Sequence, residues 1–115
     1  MNPVPSEIRL SSARDMLTLT FSEHVYELSA EYLRVCSPSA EVRGHGGDWK
    51  TIAGKKSVRI TAIKPVGHYA VCLHFSDGHR SGIYSWEVLY DLAQHHEQYW
   101  QRYLHALNDQ ELSRE

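Results

Sequence analysis

The sequence predicts an α+β domain: a mostly antiparallel sheet built from two hairpin–helix units, with a long C-terminal helix packed on it. Three observations carry this. Phe21 to Leu33 (FSEHVYELSAEYL) and Phe75 to Leu89 (FSDGHRSGIYSWEVL) both open on Phe-Ser-acid, with a His just after, and close on Ser-x-Glu-x-Leu. A run of alternating residues leads into each. After the second copy, Trp86, Leu89, Ala93, Trp100, Leu104 and Leu107 recur mostly at spacings of three and four, the stripe of an amphipathic helix.

Each element has its own reason. Residues 1–5 hold two prolines and form a flexible N-terminus, and Ser6 to Leu10 can make a short edge strand. From Met16 to Phe21, Leu17, Leu19 and Phe21 share one side while Thr18 and Thr20 share the other, the period of a half-buried strand. A turn at Ser22 to His24 returns the chain through Val25, Tyr26 and Leu28. Ser29 caps a short helix, Ala30 to Val35, with Glu31 in its first turn and Pro38 as its stop. Residues 39–57 carry four glycines and no period, a long stretch without an element, which Val42 and Trp49 could pin down. Val58 to Ile63 is β-branched and strand-like, and Tyr69 to Phe75 alternates again. Asp77-Gly78 is a strong hairpin signal, His79 to Tyr84 pairs back, and Ser85 caps a helix running to about Leu107. The tail, 108–115, is polar and expected to fray. Aligning the two copies needs two extra residues in the second before Ser29 meets Ser85.

Bulk numbers narrow the function classes. At 115 residues, with 42% hydrophobic and 23% charged, this is one ordinary folded domain, 6–107 between its two ends. A net charge of -2 gives no overall attraction to polyanions, so nucleic acid is not an expected partner. No apolar run approaches the roughly 18 residues of a membrane span. The opening MNPVPSEIRL lacks an apolar signal core, so a cytoplasmic protein with Cys36 and Cys72 as free thiols is expected.

Chemical candidates are few. His95 and His96 are adjacent on a helix and diverge by about 100°, which suits chelation poorly. Cys72 and His74 share one face of a strand, but structural zinc wants four ligands. Cys36, His45 and His79 could meet in space as a metal cluster. The Gly54-Lys55-Lys56-Ser57 run fails as a P-loop, because Trp49 replaces the first glycine, Lys56 the Ser or Thr, and a strand follows. No facial iron triad, nucleophile elbow or zinc-protease motif occurs. From Arg43 to Lys64 there are six bases and one acid, which suits an acidic protein partner.

Three motifs in order, Leu33 to His45 (LRVCSPSAEVRGH), Ile63 to Val71 (IKPVGHYAV) and Phe75 to Trp86 (FSDGHRSGIYSW), resemble the gamma-butyrobetaine hydroxylase-like N-terminal domain family, including its small stand-alone bacterial members. The resemblance covers roughly residues 6–95. In full-length hydroxylases this domain precedes an iron- and 2-oxoglutarate-dependent catalytic domain. It holds a structural zinc through three cysteines after a Leu-Arg pair and one later histidine. His79 matches that histidine. Ser37, Ser39 and Val42 stand where the cysteines should be, and Cys36 is one place off. The catalytic domain is absent from the match, so hydroxylase activity does not carry over. A similar domain also occurs fused to P-loop carriers of the Mrp type, which implies an iron–sulfur or P-loop carrier protein as partner.

The expectation is therefore a non-enzymatic, soluble binding or accessory module, linked to iron or iron–sulfur protein metabolism. Arg34, Arg43, His45, His79, Arg80 and Tyr84 are its expected contact residues, with Tyr84 as aromatic anchor. The alternative is an iron- or zinc-binding domain using His79 with Cys36 or His45. A small enzyme using His79 and Asp77 as acid–base groups ranks last.

Overall fold

The computed structural model describes residues 3–43 and 49–115. The α+β class holds, but the strands divide into two antiparallel three-stranded sheets. The first is β1 (Glu7–Leu10), β2 (Met16–Phe21) and β3 (His24–Ser29), in that order. The second is β4 (Ile60–Val66), β5 (Ala70–Phe75) and β6 (Gly82–Ser85). Each sheet feeds a Ser-capped helix. After β3 comes α1 (Ala30–Val35), where Ser29 Oγ accepts the Tyr32 N–H at 3.0 Å. After β6 comes α3 (Trp86–Gln94), where Ser85 Oγ accepts the Val88 N–H at 3.1 Å. The repeated sequence unit is thus a repeated structural unit.

The second helix is not continuous. α3 stops at Gln94, His95 leaves helical geometry (φ -112, ψ 26), and α4 runs from His96 to Asp109. The His95 ring turns back onto the Asp91 carboxylate at 3.0 Å, within the last turn of α3. Beyond the break the buried residues of α4 are Tyr103 and Leu107, while Trp100 and Leu104 are only half-buried. The 39–57 stretch also contains a short element, α2 (Ala40–Arg43), whose Val42 is buried and accepts the Lys50 N–H on its carbonyl at 2.6 Å.

Inward-facing Leu17, Leu19, Phe21 and Leu28 of one sheet and Ile60, Val71, Leu73 and Phe75 of the other join Leu33, Leu89 and Leu92 in a single core. Two buried tyrosines cross-link the units. Tyr32 on α1 donates to Leu92 O at 2.6 Å, and Tyr84 on β6 donates to Leu33 O. The polar tail is tied down as well: the Gly54 and Lys56 amides donate to Ser113 O and Arg114 O, both at 2.9 Å. The Arg114 guanidinium grips both oxygens of the buried Glu31 carboxylate at 2.7 and 2.8 Å.

Candidate functional site

The exit of α1 and the loop between β5 and β6 meet in one polar joint. Asp77-Gly78 makes the turn, with Gly78 in the left-handed region at φ +92. The turn brings His79 back against residues 37–41. His79 Nε2 lies 2.9 Å from Ser37 Oγ, and Nδ1 lies 3.0 Å from a Glu41 carboxylate oxygen. Ser39 Oγ bonds to Ser81 Oγ at 2.7 Å, and the Ser39 amide donates to Ser37 Oγ at 3.2 Å. Gly82 makes the approach possible, since a β-carbon there would sit 2.6 Å from Ser37 Oγ.

The array has the bonding order of a serine–histidine–carboxylate triad. Its access differs. Ser37 is 0% exposed and His79 5%, so no substrate reaches the hydroxyl. Burial, then the nearby Arg34 charge, lowers the His79 pKa and favours the neutral ring. Asp77, expected beside it as an acid–base partner, meets only the His79 backbone amide, at 3.0 Å. Its carboxylate instead holds Arg34 Nε at 2.7 Å and Lys55 Nζ at 2.6 Å. Burial pushes the Asp77 carboxyl up, but hydrogen bonds from Lys55, the His79 amide and Arg34 outweigh this and hold it at about 2.

The expected contact residues divide by burial. Tyr84 is 0% exposed and Arg34 8%; with His79 they lie inside the joint or core rather than on a contact surface. Arg43 is half-buried, donates to Ser37 O at 3.2 Å and Cys36 O at 2.9 Å, and stacks on Trp49 at 4.1 Å. Arg80 is exposed. His45 lies outside the described residues. Sequence reasoning missed Glu41, Ser81 and Gly82 as members of the joint; the acid in the first turn of a helix was the only local signal for Glu41.

The donors here do not fit a zinc ion. Both His79 nitrogens already have partners, the family's cysteine positions carry two hydroxyls and a valine, and hydroxyls replace thiolates poorly. Cys36 is buried, and burial pushes its thiol up to about 12. Among the described residues no three His, Cys, Asp or Glu side chains are grouped to hold a metal. Also among them, no helix is long and apolar enough to cross a membrane.

A concavity lies elsewhere, between the 49–51 segment and α4. It has a volume of about 370 Å³, and its lining includes Val35, Cys36, Trp49, Arg102 and Tyr103. Neither His79 nor Asp77 lines it.

Two antiparallel sheets, each running into a capped helix and meeting at a polar joint, define a small α+β domain. The family model for gamma-butyrobetaine hydroxylase-like, N-terminal, matches residues 8–90, and the chain belongs to that family. A solution NMR structure with 44% identity matches at a TM-score of 0.88, covering 100% of this chain and 92% of that one. A second is 46% identical, with a TM-score of 0.82, covering 97% and 85%. A crystal structure of a protein with unknown function, of the DUF971 family from Acidithiobacillus ferrooxidans ATCC 23270, is 39% identical at a TM-score of 0.64, covering 77% of this chain and 91% of that one. No curated protein matches.

Proposed function

We propose that this chain is a non-enzymatic accessory module that docks an acidic segment of a protein partner on the outer face of its second sheet. The observation that carries the reading is the composition of that face. Strand alternation and register set Ala62 beside His74, and Lys64 beside Cys72 and Ile83. Cys72 Sγ reaches Arg80 O at 3.0 Å, which brings Arg80 to the same region. The face thus carries two exposed bases and an exposed apolar residue, Ile83 at 49%, without a carboxylate. Inside the domain, by contrast, Arg34, Lys55 and Arg114 are each engaged by an acid. Charged rims around an apolar patch steer and orient partners more than they hold them. The buried, substrate-inaccessible His79 array further supports a binding role over a catalytic one.

Family resemblance makes an iron–sulfur or P-loop carrier protein the first partner to try. The test is a titration of such a carrier, from the same cell, with wild type and with the Lys64→Glu/Arg80→Glu double variant. Binding that the double variant weakens by at least about tenfold, with its circular dichroism unchanged, supports the reading. Equal binding by both proteins would sink it.

A further inference from the structure

We infer that the concavity between Trp49 and α4 is a binding site for a small organic carboxylate with a compact aromatic or apolar body. Its size comes first. About 370 Å³ lies at the lower end of ligand pockets and suits a molecule of roughly ten heavy atoms.

Its charge comes next. Most polar groups on the wall are already engaged. Tyr103 donates to Ile52 O at 2.6 Å, Tyr99 to the Asp91 carboxylate at 2.9 Å, and Gln110 to Thr51 Oγ1 at 2.8 Å. The two cations, Lys50 and Arg102, stand apart: neither forms an ion pair within 4.0 Å among the described residues. The Arg102 guanidinium sits 4.6 Å from the Trp49 ring centre and 4.8 Å from that of Tyr99. Aromatic rings occupy the faces of a guanidinium and leave its in-plane N–H fork free, the geometry that takes a carboxylate with two parallel hydrogen bonds. A held guanidinium beside an aromatic wall, without an ion pair among the described residues, is a prepared anion site, since its ordering cost is met before the ligand arrives.

The floor sets the rest of the ligand. Val35 and Cys36 are 3% and 2% exposed, Tyr103 8%, and burial keeps Cys36 an uncharged thiol. These surfaces favour a flat or compact apolar body over a hydrated polyanion. This site is separate from the outer sheet face, so the two readings stand or fall independently.

Benzoate is the probe, with benzamide as its neutral counterpart and inorganic phosphate as the anion without an apolar body. Binding is followed by NMR shifts of the labelled protein. Benzoate should move the Trp49 indole and Arg102 side-chain signals with a Kd below about 10 mM, while benzamide and phosphate bind at least about tenfold more weakly. Arg102→Gln, an exposed position, should weaken benzoate by about tenfold, and Lys64→Glu/Arg80→Glu should leave it unchanged. Absence of shifts at about 10 mM benzoate, equal binding of benzamide or phosphate, or full affinity in Arg102→Gln would overturn the assignment.

Discussion

At the scale of single residues, the joint shows how polar side chains satisfy one another. Asp77 is the clearest case, because three donors converge on it: Arg34, Lys55 and the His79 amide. Its carboxyl is held at about 2, below the ordinary 3.8. A carboxyl lowered by folding adds stability that is complete above the ordinary value and is lost as pH falls through the folded one. The fold should therefore lose about 1–2 kcal/mol between roughly pH 4 and 2 from this group, after allowing for solvent screening. Asp77→Asn should cost a similar amount at neutral pH, and the gap to wild type should close in acid. Urea titrations at pH 6 and 3 check this; a gap that does not narrow would remove Asp77 as the source. None of this was legible residue by residue. Arg34, Glu31, Ser37 and His79 read as surface in any hydropathy scan, and only their pairing lets them be buried.

Among the elements, the hairpins were the most legible, because alternation of Leu17, Leu19 and Phe21 and an Asp-Gly turn each have one structural meaning. The division into two sheets was not, since a strand alternates in the same way whatever sheet receives it. The break at His95 left a trace in the sequence: the apolar stripe skips from Ala93 to Trp100. The tail misled for a different reason. Its residues are polar, yet Arg114 closes on the carboxylate of Glu31, which is 6% exposed, across the molecule. Removing one partner of such a pair strands a buried charge. Arg114→Ala should cost about 2 kcal/mol or more in urea unfolding, against about 0.5 for Lys56→Ala on the exposed bridge to Glu115. Equal costs for the two would show that the tail contact is ornamental.

For the whole molecule, two similar units behave as one body because each offers a tyrosine to the other's backbone. Tyr32→Phe and Tyr84→Phe each leave a buried carbonyl, of Leu92 or Leu33, without that donor and should cost about 1–2 kcal/mol. The apolar core runs through both sheets, so unfolding should remain a single transition in both variants. Coincident near- and far-ultraviolet circular dichroism melts check it; separated melts would mean the units are independently stable. The domain and its family were legible from three sequence motifs. The candidate ligand site was not, because Trp49 is distant in sequence from Tyr99 and Arg102, which are neighbours on α4, and meets them only through the path of that helix.

The serines at the polar joint have a consequence beyond geometry. Residues 37, 39 and 42 are hydroxyls and an aliphatic, the adjacent Cys36 is buried and protonated, and the Cys72 thiol meets the carbonyl of Arg80 rather than a joint side chain. Thiolate ligands are open to oxidation and to competing chelators, whereas a hydroxyl–imidazole–carboxylate array is open to neither. The Ser37–His79–Glu41 joint therefore offers an oxidant no thiolate of its own.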